Sequence, residues 1–224
     1  METGLRESPT GGVAPSARSL SRRIEDVQEA AFEIAGRRPQ PRPERLSGIH
    51  NPWGHASGLA DAWRFLDLCE EPVILEQVRA AIGPDIVLWD SELHLEAGTY
   101  QRFVREGREG RYWPVMPLEG AVVLVAPECA QPVTCLSLSE VATGLQWLDP
   151  RETLYVIRYM PATSVFLRDG RAPANWIAME EQPLINYAAR PLWLVCGEDR
   201  AGNDFVTGFS PQVPRWAGTQ TKEH

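Results

Sequence analysis

Gly107-Arg-Glu-Gly-Arg-Tyr-Trp-Pro-Val-Met-Pro-Leu-Glu-Gly-Ala-Val-Val-Leu-Val-Ala126 joins two kinds of sequence. Its second half, Ala121 to Ala126, is a β-branched and aliphatic run bounded by Gly120 and Pro127, the pattern of a strand buried on both faces. Its first half sets Glu106, Arg108, Glu109 and Arg111 beside Tyr112 and Trp113. Charges and aromatics next to a rigid strand suit the rim of a ligand site. They also suit a solvated turn capped by half-buried aromatics.

Outward from this stretch the chain changes character twice. Residues 1–18 are rich in Pro, Gly, Ser and Thr and read as a disordered N-terminus without the apolar run of a signal peptide. Leu20, Ile24, Val27, Ala31 and Ile34 recur at helical spacing with Gly36 at the stop, so residues 19–36 read as one amphipathic helix, packed outside the body or detached from it. Three prolines between Arg37 and Pro43 make 37–48 a Pro/Arg-rich linker. The body is then 49–209, followed by a tail at 210–224.

Inside the body, helices come first. Ser57 is placed to cap a helix reaching Leu68, with Leu59, Ala62, Trp63 and Leu66 turned inward. A second helix begins at Pro72, runs Ile74, Leu75, Val78 and Ile82 along one face, and stops at Gly83-Pro84. Strands follow at Asp85–Leu95, Ala121–Ala126, Val133–Leu138, Thr153–Tyr159 and Pro191–Cys196. Helices and then a run of strands predict an α+β fold built around a sandwich or barrel.

Composition narrows the function. A net charge of −8, with the acid excess in residues 49–224, argues against a nucleic-acid surface. The apolar runs are strand-length, which argues against a membrane span, and a cytoplasmic protein is expected. Lysine occurs once, at Lys222, so Schiff-base and P-loop chemistry lack an amine. Cys69, Cys129, Cys135 and Cys196 form no C-x-x-C pair and read as small buried hydrophobes.

Four segments together resemble the phytanoyl-CoA dioxygenase family of iron(II)- and 2-oxoglutarate-dependent oxygenases. They are Ile82-Gly-Pro-Asp-Ile-Val-Leu-Trp-Asp-Ser91, Gly110-Arg-Tyr-Trp-Pro114 with Pro117-Leu118, Ile157-Arg-Tyr-Met-Pro-Ala-Thr-Ser-Val-Phe166, and Pro191-Leu-Trp-Leu-Val195 with Asp199-Arg-Ala-Gly-Asn-Asp204. The resemblance implies a double-stranded β-helix, a jelly-roll of the cupin kind, with preceding helices. Here it would be shortened, because the interval between the expected metal ligands is contracted.

The resemblance also implies a His-x-Asp pair, a distal histidine and a cosubstrate arginine, and this chain departs from most of them. The proximal histidine falls on Gly107, the aspartate on Glu109 and the distal histidine near Val141. Of the arginine pair only Arg151 remains, beside Glu152, and Glu96 replaces a basic residue. The metal-binding motif is therefore not retained, and no cofactor is expected.

The reading that follows is a degenerate member acting as a small-molecule-binding or partner module. Glu109 is its one carried-over carboxylate, Arg151 its cosubstrate arginine, and Tyr112, Trp113 and Arg158 its pocket groups. Arg158 suits equally a structural ion pair with Asp90 or Glu92. One alternative is an Fe(II)/2-oxoglutarate hydroxylase with rearranged ligands, Glu109, His94 and His55. Another is a metal-free catalyst with Glu109 or Asp90 as acid or base.

Overall fold

The computed structural model describes residues 15–37, 45–54, 56–176 and 187–205. They form an α+β fold with two antiparallel sheets. Helix α1 is Pro15–Gly36, followed by strand β1 at Arg45–Ser47, helices α2 at Ala62–Cys69 and α3 at Pro72–Ile82, and the long strand β2 at Ile86–His94. Helix α4 is Ala97–Arg105, α5 the single turn Glu109–Tyr112, and β3 is Val115–Met116. Strands β4 (Ala121–Val125), β5 (Val133–Ser137), β6 (Leu154–Pro161), β7 (Val165–Phe166) and β8 (Trp193–Cys196) complete the order.

The main sheet runs β1-β2-β6-β4-β5, with β8 sharing β2's outer edge with β1, and β3 pairs with β7 in a separate ribbon. Every described pairing is antiparallel. All residues of β2, β4 and β6 are buried, because helices and loops cover both sheet faces. On one face Ile86, Leu88, Val123, Ile157 and Tyr159 pack in one core with α1, α2 and α3. On the other, Trp89, Val122, Leu124, Val156 and Met160 pack with α4, Tyr112, Trp113 and Phe166.

The expected helix at Pro72–Ile82 is present, with Pro72 at its first turn and Gly83 closing it at φ 93°. The expected Ser57 cap is corrected. The helix starts later, where Asp61 Oδ1 accepts the Trp63 amide at 3.1 Å, while Ser57 Oγ donates to the Gly54 carbonyl. Starting at Ala62 turns Phe65, Leu66, Leu68 and Cys69 inward and leaves Trp63 52% exposed, not inward as its spacing from Ser57 suggested.

Two further features bear on the body's limits. Helix α1 packs on the body, one of the two placements expected for it: Ile24, Val27, Ala30, Ala31 and Ile34 are buried, and Arg23 bridges Asp67 and Glu71 at 2.6 and 2.9 Å. Of the Pro/Arg-rich stretch, residues 38–44 lie outside the described residues, and its end forms β1 against His94, Leu93 and Glu92. The N-terminus 1–14 and the tail 210–224 also lie outside them. Among the described residues no helix is long and apolar enough to cross a membrane, and all four cysteines are free.

Candidate functional site

A single extra residue in β2 creates the interior site. Leu88 pairs with Tyr159 and Asp90 with Arg158, so Trp89 is a bulge that puts two residues opposite one. Without it, strict alternation would turn Asp90, Glu92 and His94 to the face of Leu88. With it, Trp89, Asp90, Glu92 and His94 all share the face of Arg158 and α4.

Arg158, fully buried, is the hub. Its Nε and NH2 donate to the two oxygens of Glu109 at 2.8 Å each. NH1 donates to Asp90 Oδ2 at 2.9 Å and NH2 to Glu92 Oε2 at 3.0 Å. The guanidinium stacks over Tyr112, 4.8 Å from the ring centre. Planar, forked and always charged, this side chain can satisfy several carboxylates at once where an ammonium could not.

The carboxylates have further partners. Glu109 opens α5, and its Oε1 accepts the Trp113 indole N–H at 3.0 Å. Glu92 Oε1 accepts Ser47 Oγ at 2.8 Å and Tyr112 OH at 3.1 Å, with Arg45 Nε at 3.6 Å. Arg190 NH1 lies 3.1 Å from Asp90 Oδ2 while its NH2 donates to Tyr112 OH at 2.6 Å. Asp90, Glu92 and Glu109 thus face Arg45, Arg158 and Arg190, and the interior charge is balanced.

Titration follows from this enclosure. Burial pushes the Asp90 carboxyl up to about 6 against the pull of Arg190 and Arg158. Burial opposes the charge of Glu92 too, but Arg158 and Arg45 hold that carboxyl well below its ordinary range. His94, with Nε2 3.5 Å from Glu92 Oε2 and Nδ1 2.7 Å from Thr99 Oγ1, is lowered by burial and stays neutral. His50, whose Nδ1 meets Ser91 Oγ at 2.7 Å, is lowered by burial and then by Arg190 to about 3. At neutral pH Asp90 and Glu92 are therefore carboxylates beside the Arg158 guanidinium, with both imidazoles neutral.

The network brings together seven of the residues singled out in the sequence: Asp90, Glu92, His94, Glu109, Tyr112, Trp113 and Arg158. It leaves out Arg151, whose side chain is 89% exposed and lies 3.6 Å from Asp149. His55 lies outside the described residues. Glu152, beside Arg151, accepts the Cys129 thiol at 2.9 Å, and Glu96 stands at the start of α4. Arg45 and Arg190 are not among the residues singled out in the sequence. A charged residue directly before the apolar run Pro191–Cys196 was the available signal for Arg190; Arg45 was hidden in a stretch dominated by proline.

The donors among the described residues do not fit a mononuclear iron centre. Gly107 sits in an exposed turn at φ 66°, and Val141 is packed in the apolar core on the α4 side, so neither position supplies a ligand atom. Glu109 gives both oxygens to Arg158, and His94 faces Glu92 and Thr99. Among the described residues no three His, Cys, Asp or Glu side chains are placed to hold a metal ion. A guanidinium within 3 Å of each carboxylate also repels a divalent cation.

No protein-family model matches the chain, and no curated protein does. Among solved structures the chain is similar to a non-heme monooxygenase, a ThoJ–Ni complex, at 10% identity over 83% of this chain and 79% of that chain, with a TM-score of 0.38.

Proposed function

We propose that this chain is a divergent, shortened relative of the phytanoyl-CoA dioxygenases, with a double-stranded β-helix reduced on one side, that works as a small-molecule-binding or partner module. The fold part rests on the four sequence segments together with an all-antiparallel main sheet and a second sheet of only two strands. The functional part is carried by one observation: Arg158 stands among the carboxylates and uses its three nitrogens on all of them.

Such an arrangement suits structure better than turnover. A general acid or base needs an oxygen that a substrate proton can reach. Glu109 spends its oxygens on Arg158 and Trp113, and Asp90 Oδ2 is shared by Arg158 and Arg190. The rearranged ligand set of Glu109, His94 and His55 would require Arg158 to leave.

The test is iron content of the purified protein, then anaerobic titration with Fe(II) and 2-oxoglutarate, then succinate formation in air. The expected result is no stoichiometric iron, no charge-transfer band and no succinate. Steady succinate production that disappears in Glu109→Ala would replace this reading with the rearranged oxygenase.

A further inference from the structure

A second concavity lies away from the buried network, at the end of the main sheet where β4 begins. It is a cleft of about 400 Å³ between the last turn of α3 (Ala81, Ile82), the segment Leu118–Gly120 and the end of β5 with Leu138 and Ser139. That volume is within the range of small-molecule sites. Ile82 belongs to the margin of one core and Leu138 to the margin of the other, so the cleft opens between the two layers. Leu118, 53% exposed, gives the cleft an apolar wall.

Its electrostatics have one sign. Glu119 lines the cleft, and among the described residues no basic side chain does. Behind Ser137, the Glu140 carboxylate accepts that residue's hydroxyl at 2.6 Å and its amide at 2.9 Å, which hold it below the ordinary carboxylate range. The wall from α3 is a helix C-terminus, where partial negative charge favours cations. The arginines nearest in sequence do not line the cleft and hold their hydrogen bonds elsewhere. Arg111 donates to the Gly107 and Glu106 carbonyls, and Arg79 to Cys196 Sγ at 2.9 Å.

From this combination we infer that the cleft binds a primary ammonium ion carrying a short aliphatic chain, with the chain against Ile82, Leu118 and Leu138 and the head group toward Glu119. A free carboxylate or phosphate ligand is disfavoured by the same field. The cleft shares no residue with the Arg158 network, so the inference stands apart from the function proposed above.

The experiment is ligand-observed NMR titration of the full chain with n-hexylammonium, 1-hexanol and hexanoate, which share an apolar body and differ in charge. One carboxylate contact and the helix end together should make hexylammonium bind about tenfold more tightly than hexanol. Hexanoate should not saturate. Glu119→Gln should bring hexylammonium to the affinity of hexanol and leave hexanol unchanged, whereas Leu118→Ser should weaken both. Both side chains are exposed, so neither change reaches the core. Equal affinities for the three probes, or hexylammonium binding indifferent to Glu119→Gln, would overturn the inference and mark general adsorption of amines to an acidic protein.

Discussion

Arg158 and Glu109, 49 positions apart in sequence, meet through two parallel hydrogen bonds of 2.8 Å in an interior closed to water. The pairing ties the strand β6 to the short turn α5, and through Trp113 to the start of the β3–β7 ribbon. Removing one partner of a buried pair leaves a charge without solvent or counterion, at a cost of about 3–5 kcal/mol. Arg158→Met should therefore lose stability on that scale in urea unfolding at pH 7. Arg158→Lys should recover only part of it, since one ammonium cannot reproduce the fork. Lowering the pH should partly restore Arg158→Met by protonating the orphaned carboxylates; a variant equally stable to the parent would show that the network contributes nothing.

Asp90 and His50 should tilt stability with pH in opposite directions. With a folded pKa of about 6 against about 4 unfolded, Asp90 binds its proton more readily when folded. Its contribution is complete below about pH 4 and lost as pH rises through 6. His50 is the reverse: with a folded pKa of about 3 against about 6.5, it contributes above pH 6.5 and loses that contribution as pH falls. Each slope reaches at most about 1.4 kcal/mol per pH unit. Urea unfolding at pH 4.5, 5.5 and 6.5 should show Asp90→Asn gaining stability with pH more steeply than the parent, and His50→Gln less steeply. Parallel curves for all three proteins would show that neither shift exists.

Some of this network could be read from the residues and some could not. Arg158 within an apolar strand called for a carboxylate partner, and Asp90 and Glu92 were the available ones because β2 and β6 were legible as strands. The bulge at Trp89 was not legible, since a one-residue slip leaves composition and strand length unchanged. Helix α4 is not among the expected elements although Ala97, Tyr100, Phe103 and Val104 carry a helical stripe; Gly98 and Thr99 in its first turn weaken the signal. Arg151 rests on the family resemblance alone, and nothing local to it points inward.

Gly120 should tolerate no side chain. A Cβ there would press on the Trp113 ring and stand 2.7 Å from the Tyr159 carbonyl oxygen, between two elements that cannot move independently. Gly120→Ala should lower stability by about 1–3 kcal/mol through overpacking and disturb the Trp113–Glu109 bond. Gly110→Ala, where an added Cβ meets nothing within 4 Å, is the matched control and should leave the melting temperature nearly unchanged. Similar melting temperatures for the two variants would refute the steric account.

The last prediction concerns α1, whose sequence reads as an appendage and whose side chains behave as core. Val27 is fully buried in the cluster that includes Phe65, Leu66, Ile74 and Val78, whereas Phe32 on the opposite face is 62% exposed. Arg23 fixes the helix by its contacts to Asp67 in α2 and to Glu71, which is 2% exposed. Burying Ile24, Val27 and Ile34 stabilises by about 1.5–3 kcal/mol per side chain, enough to make the helix part of the folding unit. Val27→Asp should then destabilise the whole body by at least about 3 kcal/mol, because the carboxylate has no partner in that cluster. Phe32→Asp should stay within about 0.5 kcal/mol. Urea unfolding of both variants, followed by tryptophan fluorescence from the body, decides the matter: equal midpoints would mean that the body folds without α1.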